Sequence, residues 1–286
     1  MKKVLITGEN GFVGSELNSF LEKTKEKYTV RFISLRSSKW EQEKFNDYDA
    51  IIHLAGIAHT SRKKKDRNKY YEINTDLTEK LAKKAKKENV SKFIFLSSII
   101  VYGNAQKIDG ETVPKPIDFY GDSKLRAEEK LIALKSTNFS PIIIRSPLIY
   151  GNKVKGNFSK ILNLSKKTIV FPDIKNKRSM IYIENLCNLI KICIDRDVPE
   201  LIHPQNENYI CTSNLVRCLA KHHKHKIIFL KFPNILFKKI INNNQFLSKI
   251  FGDLYYDVSL QLNFNYNLFN LNESIKKMVE DSEINE

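Results

Sequence analysis

Short apolar runs alternate with helical patterns along the first half of this chain, and this alternation constrains the fold more than any other feature. The runs with the length and composition of strands are Val4–Thr7, Val30–Leu35, Ala50–Ala55, Phe93–Ser97 and Ile142–Arg145. Helical periodicity occurs between them, over Gly11–Thr24, Asn74–Glu88 and Tyr120–Leu134. Strands that alternate with helices predict an α/β fold with a doubly wound parallel sheet, covered by helices on both faces.

The pattern changes after Gly151. A helix is predicted over Asn157–Lys166, and Met180–Ile194 has the pattern of a strand followed by a helix that could rejoin the sheet. The basic, amphipathic stretch Ile235–Phe251 could lie on a membrane surface, but its pattern favours packing within the fold. We therefore predict a larger domain over residues 1–152, to which residues 180–206 return. Residues 153–179 and 207–286 would form a smaller α+β domain on the C-terminal side.

A glycine-rich turn joins the first predicted strand to the first predicted helix. Within Thr7–Gly14 the glycines have the spacing G-x-x-G-x-x-G. Gly8 and Gly11 would let the backbone approach a pyrophosphate, and Gly14 would let the helix pack close to the sheet. The pyrophosphate would then meet free N–H groups at the positive end of a helix. The turn therefore predicts a Rossmann-type dinucleotide site in the larger domain.

The end of the second strand predicts which dinucleotide is bound. An NAD site usually carries an acidic residue about 20 positions after the glycines, where it accepts a hydrogen bond from the ribose. Here Arg36 and Ser37 occupy that place, and Arg suits the 2′-phosphate of NADP. We predict NADP, with NAD as the alternative. Trp40, shortly afterwards, could lie near the adenine.

Two further elements carry catalytic chemistry. Tyr120 and Lys124 are separated by one helical turn, so both side chains share a face. A phenol has a pKa of about 10, and a neighbouring ammonium together with a nicotinamide cation would lower it. Ser98 ends a strand, at the edge where parallel sheets bind ligands, and could hydrogen bond to a reacting oxygen.

These motifs occur in an order that resembles the extended short-chain dehydrogenase/reductase family. The likeness extends to the nucleotide-sugar epimerase and 4-ketoreductase subgroup of bacterial surface-polysaccharide synthesis. The segments that carry it are Thr7–Gly14, His53–Gly56, Asn74, Ser97–Ser98, Val101–Gly103, Tyr120–Lys124, Arg145–Pro147 and Tyr150–Gly151. The resemblance implies that Ser98, Tyr120 and Lys124 are the catalytic set. It also implies that Asn74 supports the helix geometry and contacts a water or Lys124.

The resemblance implies which residues contact the cofactor and the substrate. The cofactor set is Gly8, Gly11, Phe12, Val13, Gly14, Arg36, Ser37, Leu54, Ala55, Gly56, Asn74, Ser97, Tyr120, Lys124 and Pro147. The substrate set is Ser98, Tyr120, Asn157 and Arg178, with Arg178 clamping a diphosphate. The segment from Phe251 to Asp257 resembles the substrate domain of such enzymes. A UDP-linked sugar is the implied substrate, and a homodimer is common in the family.

Composition excludes several other classes. The chain has 286 residues, of which 42% are apolar and 28% charged, as in globular domains. No apolar run is long enough for a bilayer span, and the one after Lys3 is too short for a signal peptide, so we expect a cytoplasmic protein. The net charge of +16 comes from lysines spread along helix faces, without a nucleic-acid motif, so no nucleic-acid partner is expected. A positive field could speed the capture of a diphosphate.

Cysteine and histidine spacing gives no indication of a metal site. Cys187, Cys193, Cys211 and Cys218 form no C-x-x-C pair, so reduced thiols are expected. The histidines between Lys221 and Lys226 lack a cysteine or carboxylate at ligand spacing, and we expect an exposed face there.

Three functions fit the sequence. The first is NADPH-dependent reduction of a UDP-4-keto-6-deoxy-N-acetylhexosamine, favoured by Arg36 because NADPH is the usual biosynthetic reductant. The second is 4-epimerisation of UDP-glucose or UDP-N-acetylglucosamine, which Leu148 disfavours because many 4-epimerases have Asn at that place. The third, a non-catalytic NADP-binding sensor, ranks last because Tyr120 and Lys124 are both present.

Overall fold

The computed structural model describes residues 1–24, 26–58, 66–152, 154, 157–231 and 245–283. In chain order its strands are β1 (Lys2–Thr7), β2 (Tyr28–Ile33), β3 (Ala50–His53), β4 (Lys92–Ser98), β5 (Lys107–Ile108), β6 (Ser140–Ser146), β7 (Leu148–Tyr150), β8 (Val170–Asp173), β9 (Met180–Tyr182), β10 (Leu201–Ile202), β11 (Ile228–Lys231) and β12 (Tyr255–Tyr256). Its helices are α1 (Phe12–Glu22), α2 (Arg67–Tyr71), α3 (Leu77–Lys87), α4 (Phe119–Ala133), α5 (Asn157–Lys167), α6 (Ile183–Asp195), α7 (Thr212–His222), α8 (Gln245–Phe251) and α9 (Leu271–Glu283).

A six-stranded parallel sheet with the order β10-β6-β4-β3-β1-β2 forms the centre of the fold. From β1 the chain moves outward to β2 and then crosses to β3 on the other side of β1. Thr7 at the end of β1 is therefore paired with Ile33 on one side and His53 on the other. A reversal of strand order opens a crevice at the carboxyl ends of the strands, which is where ligands bind in such sheets.

Both faces of the sheet are buried, which confirms the predicted doubly wound α/β fold. Successive residues of a strand point to opposite faces, so Val4 and Ile6 join one core and Leu5 joins another. The first core contains apolar residues of α1 and α6, and the second contains residues of α3 and α4. This is why these strands are continuously apolar rather than alternating.

The second half of the chain adds small two-stranded sheets around this centre. β7 pairs with β9, β8 with β11 and β5 with β12, while β10 joins the edge of the main sheet next to β6. Apolar residues of both predicted domains share one continuous core, which extends from Val4 in β1 to Met278 in α9. The division into two domains therefore stays a prediction.

Element boundaries differ from the sequence-based expectation in places that matter for the site. The helix expected to begin at Asn74 begins earlier, at Arg67, and contains a π-helical turn over Glu72–Asp76. β3 ends at His53 rather than Ala55 because the backbone of Leu54 turns toward the side chain of Thr7.

The amphipathic stretch Ile235–Phe251 lies largely outside the described residues. Of its last part, Ile250 and Phe251 on α8 are buried in the main core. Among the described residues, no helix is both long and apolar enough to cross a membrane.

Candidate active site

The glycine turn between β1 and α1 requires glycine for backbone reasons. Gly8 has φ +88°, and a Cβ there would lie 2.9 Å from the backbone nitrogen of Ala55. A Cβ on Gly14 would lie 2.4 Å from the carbonyl oxygen of Gly8. Gly14 therefore permits the helix to approach the turn itself, and not the sheet as the sequence suggested. Gly11 precedes α1 without a side-chain cap, and no acidic residue lies in the first turn, so this helix end can accept an anion.

A buried hydrogen-bond network holds this turn against the neighbouring strand. The Thr7 hydroxyl lies 2.7 Å from Nδ1 of His53 and accepts from the backbone N–H groups of Leu54 and Ala55 at 3.2 Å. Nε2 of His53 lies 2.9 Å from the hydroxyl of Thr78 on α3. Burial lowers the pKa of His53 to about 3, so the ring is neutral and serves the structure rather than proton transfer.

Asn74 extends this network to the helix that carries Tyr120. Its side chain accepts from the N–H of Ile57 at 2.8 Å and donates to the carbonyl of Ile57 at 3.0 Å. It also donates to the hydroxyl of Ser123, at 3.0 Å. A Cβ on Gly56 would lie 3.0 Å from Oδ1 of Asn74 and 3.4 Å from Nζ of Lys124. The predicted supporting role of Asn74 thus has a geometric basis, with Ser123 rather than Lys124 as its hydrogen-bond partner.

Ser98 and Tyr120 meet at the carboxyl end of β4. Tyr120 lies in the first turn of α4, where the side chain of Asp118 accepts a hydrogen bond from the N–H of Gly121 at 2.9 Å. Ser98 hydrogen bonds to the phenol, which favours the phenolate, but burial disfavours it more strongly and raises the pKa of Tyr120 to about 12. The lowering expected from an ammonium together with a nicotinamide cation stays a prediction.

Lys124 lies one turn further along α4 and is 5% exposed. Its ammonium donates to the carbonyl of Leu96 at 3.0 Å and lies 4.4 Å from the ring centroid of Phe95. Burial lowers the pKa of Lys124 to about 8, while the charge of Glu128 raises it. The amine is therefore still mostly protonated at neutral pH.

Glu128, one further turn along α4, is a residue that the sequence analysis missed. Its carboxylate lies 2.6 Å from Nη2 of Arg145, and it accepts a hydrogen bond from Ser97. Arg145 also donates to the hydroxyl of Tyr102 at 2.6 Å, and that hydroxyl lies 2.7 Å from Nε2 of His203. Ser97, predicted to contact the cofactor, is buried, and its hydroxyl belongs to this cluster; its contact with the cofactor stays a prediction. The spacing Tyr120, Lys124, Glu128 on one helix was the signal available in the sequence.

The residues after β2 divide between the surface and the core. Arg36 and Ser37 are exposed, three and four residues after the strand ends, and no described residue forms an ion pair with Arg36. Trp40, by contrast, is buried with Leu5 and Phe45 in the core next to α3, so the suggestion that it contacts an adenine is wrong.

Several predicted cofactor residues belong to the protein interior. Phe12, Val13 and Leu54 are partly buried and pack against the main core, and Pro147 is buried where β6 ends. Leu54 and Ala55 nevertheless border the crevice through their backbone, because the turn at Gly8 lies against them.

Arg178 lies in the second half of the chain and is almost entirely buried. Its guanidinium donates to the carbonyl of Gly252 at 2.7 Å, and its backbone is paired with Ile210 and Leu254. Burial lowers its pKa to about 10, while Asp253 raises it. Gly252 and Leu254 belong to the segment that the resemblance assigned to substrate binding. The side chain of Asn157 lies outside the described residues.

The cysteines and histidines form no metal centre within the part of the chain that the structure describes. All four cysteines are free thiols; Cys187 and Cys193 are buried, and Cys211 and Cys218 are partly exposed.

Comparison with known proteins identifies the family. The NAD dependent epimerase/dehydratase family matches residues 4–203, from the first strand to the end of β10. The chain belongs to this family. The resemblance inferred from the motifs is thereby confirmed, and the chain is an NAD(P)-dependent enzyme of nucleotide sugars. Because the family includes epimerases, dehydratases and reductases, membership alone does not distinguish these reactions.

Individual relatives support the same assignment. This family member is 30% identical over 295 residues to a UDP-glucose 4-epimerase of Vibrio cholerae, covering 90% of this chain and 88% of that protein. A UDP-N-acetylglucosamine 4-epimerase from Bacillus cereus matches its fold with a TM-score of 0.78 at 16% identity, over 99% of this chain and 100% of that chain. A dTDP-4-dehydrorhamnose reductase from Bacillus anthracis, in complex with NADP, matches with a TM-score of 0.74 at 20% identity, over 99% and 100% of the two chains.

Proposed function

We propose that this protein uses NADPH to reduce the 4-keto group of a UDP-linked 4-keto-6-deoxy-N-acetylhexosamine. The observation that carries this proposal is the phenol of Tyr120, which is hydrogen bonded to Ser98 at the carboxyl edge of the sheet and held in its protonated form. A protonated phenol is suited to giving a proton to an oxygen that is being reduced. The neutral dihydronicotinamide of NADPH adds no positive charge that would remove that proton.

The glycine turn and the residues around it fit a dinucleotide. The turn presents N–H groups at an uncapped helix end, and no side chain projects from Gly8, Gly11 or Gly14 to obstruct a pyrophosphate. Arg36 supplies an exposed guanidinium, without an ion pair among the described residues, beyond the neighbouring strand, where the adenosine ribose of a dinucleotide lies in such folds. When bound, the dinucleotide supplies the hydride.

Side chains of the protein carry out the proton transfer and orient the substrate. Tyr120 donates its hydroxyl proton to the C4 oxygen of the sugar as that oxygen gains negative charge. Ser98 hydrogen bonds to the same C4 oxygen and orients it toward the phenol. Lys124 holds positive charge beside the site, which stabilises the phenolate left after the proton is given up and favours a hydrogen bond to the cofactor ribose.

The second half of the chain would hold the nucleotide. A hydrogen bond to the carbonyl of Gly252 and two backbone bridges hold Arg178 in position before any ligand binds. A guanidinium held in a buried position suits a diphosphate, because charge-assisted hydrogen bonds gain strength when water is excluded. The Vibrio cholerae relative is named a UDP-glucose 4-epimerase, which supports a UDP-linked substrate for this protein.

A 4-epimerase is the second candidate, and the name of the Vibrio cholerae relative favours it. In that reaction Tyr120 would remove the C4 hydroxyl proton, so its pKa of about 12 would have to fall. The cationic nicotinamide of NAD⁺ is the group that could lower it. The two candidates thus make opposite demands on the same phenol.

A direct assay separates the two candidates. Purified protein is mixed with NADPH and UDP-4-keto-6-deoxy-N-acetylhexosamine, and in parallel with NAD⁺ and either UDP-glucose or UDP-N-acetylglucosamine. We expect oxidation of NADPH and a reduced sugar in the first mixture, and no sugar interconversion in the second. Absence of NADPH oxidation, with epimerised sugar in the second mixture, would establish the 4-epimerase instead.

A further inference from the structure

The small sheet formed by β8 and β11 presents an apolar face to solvent. Val170 is paired with Ile228, and Pro172 with Leu230, so these side chains lie beside one another on one face. The exposed fractions are 46% for Val170, 59% for Ile228 and 43% for Leu230. Ile169, immediately before β8, is also exposed. We call this set the outer face of the β8–β11 sheet.

The opposite, inward face of the same sheet packs against the rest of the fold. Phe171 and Phe229 point inward, with ring centroids 6.0 Å apart, and Phe171 is buried against Phe251. Packing of the fold therefore requires only the inward residues to be apolar. Clustered apolar residues on the outer face bring no stability to this packing, and such clusters on protein surfaces mark binding sites.

Exposed lysines lie next to both strands of this sheet in the sequence. Exposed lysines precede β8 and β11: Lys166, Lys167, Lys221, Lys224 and Lys226. Lys226 is two residues before Ile228, whereas Lys231 at the end of β11 lies on the side of Phe229. The two segments are joined, because Nε2 of His225 lies 2.9 Å from the carbonyl of Thr168. Asp173 ends β8, and it is paired with Arg217 at 3.3 Å.

The sequence shows that this charge is not balanced locally. No Asp or Glu occurs between Glu129 and Asp173, or between Glu207 and Asp253. Both β8 and β11 lie at or inside these acid-free stretches. A partner that covers the outer face therefore meets apolar side chains in a segment of the chain that is rich in exposed lysines and poor in acidic residues.

We propose that the outer face docks the protein on the surface of an anionic phospholipid bilayer. The apolar side chains would enter the headgroup region, and the lysines would contact lipid phosphates. Charge complementarity favours this partner, because an anionic bilayer offers an apolar interior and negative charge in the same plane. The proposal concerns attachment and is independent of which sugar the active site reduces.

Vesicle flotation tests the proposal directly. The protein is mixed with vesicles of phosphatidylcholine alone, or of phosphatidylcholine with one part in three phosphatidylglycerol, and the floated fraction is measured. We expect binding only to the anionic vesicles and a decline as salt is raised, because lysine–phosphate attraction is screened. Equal flotation with both vesicles, or none with either, would overturn the proposal.

Paired variants locate the surface. Ile228→Ser with Leu230→Ser removes apolar contact, and Lys166→Glu with Lys226→Glu reverses charge; each should lower vesicle binding by roughly tenfold or more. The matched controls are Val113→Ser with Val258→Ser, which are exposed apolar residues elsewhere, and Lys39→Glu with Lys44→Glu, which change the net charge equally. Loss of binding in the controls as large as in the test variants would refute a localised surface.

Two other occupants of the outer face would give different results. If a second copy covers it, sedimentation will show a dimer that Ile228→Ser with Leu230→Ser dissociates, without an effect on flotation. If residues 232–244 of the chain cover it, the same variant will lower the melting temperature and leave flotation unchanged. Either result overturns the proposed membrane docking. Turnover of NADPH by the wild-type protein tests the proposed function and does not bear on the docking.

Discussion

The carboxylate of Glu128 lies 2.6 Å from the guanidinium of Arg145, and both side chains are almost excluded from water. Glu128 is on the same helix as Tyr120 and Lys124, while Arg145 is on the strand next to the one that ends at Ser98. The ion pair therefore joins the two elements that carry the proposed catalytic residues.

Glu128→Gln should lower the free energy of unfolding by about 3–5 kcal/mol, because it leaves the charge of Arg145 buried without a partner. Urea unfolding followed by circular dichroism measures this change. The control is Glu280→Gln, which removes an exposed ion pair with Lys276 and should have no measurable effect. A stability change for Glu128→Gln as small as for the control would show that water reaches Arg145.

Tyr120→Phe should lower kcat for the keto sugar by roughly 10²–10⁴-fold, because the proton donor is removed while the ring is kept. Dissociation constants for NADPH, from fluorescence titration, should change little. The matched control is Tyr71→Phe, since the partly buried hydroxyl of Tyr71 donates to Asp122 outside the proposed catalytic set. Full activity of Tyr120→Phe would remove the catalytic assignment and favour a binding role without catalysis.

The pH dependence of reduction should follow Lys124. The pKa of Lys124 is about 8, so its positive charge is present below that pH and is lost as pH rises through it. The phenol of Tyr120, with a pKa of about 12, stays protonated over the same range. We therefore expect kcat/KM to decline above about pH 8.

Glu128→Gln adds a directional test of this explanation. The charge of Glu128 raises the pKa of Lys124, so its removal should move the decline of kcat/KM to lower pH. The profile is measured at temperatures where the variant remains folded. A decline that stays in place in this variant would indicate that another group causes it.

Arg36→Ala should weaken the binding of NADPH by about tenfold to a hundredfold and leave NADH unaffected, because only NADPH carries the 2′-phosphate. Isothermal titration calorimetry with both nucleotides measures this difference. Lys39→Ala, which removes another exposed cation nearby, serves as the control. Equal losses for both variants would indicate general attraction of anions instead of a contact with the 2′-phosphate.

Gly8→Ala should destabilise the protein by about 1–3 kcal/mol and abolish cofactor binding, because φ is +88° and the added Cβ meets the backbone of Ala55. Gly110→Ala is the matched control, since a Cβ there would meet no heavy atom within 4 Å. Thermal unfolding with and without NADPH measures both effects. Normal stabilisation of Gly8→Ala by NADPH would contradict the assignment of this turn.

Much of the fold followed from local pattern. Apolar runs and helical periodicity are properties of neighbouring residues, so the strands β1, β3, β4 and β6 were located to within about two residues, and the sheet was expected to be parallel. The phosphate-binding turn and the pair Tyr120 and Lys124 were also visible, because each depends on short spacing along one element.

Other features depend on residues that are distant in sequence. The link from Thr7 through His53 and Thr78 to Asn74, and the pair Glu128 and Arg145, form only when strands and helices pack. Trp40 was expected near the adenine because sequence shows which residues are near a motif, but not which way they point.

The amino-acid sequence by itself determined the layered architecture and the chemical groups available at the crevice, since both follow from periodicity and spacing. Tertiary structure decided which of those groups are solvent-accessible, paired or charged. The physical reason is that burial and long-range pairing set pKa values and side-chain directions. Burial lowers the pKa of Lys124 to about 8 and raises the pKa of Tyr120 to about 12, because it disfavours the charged form of each group.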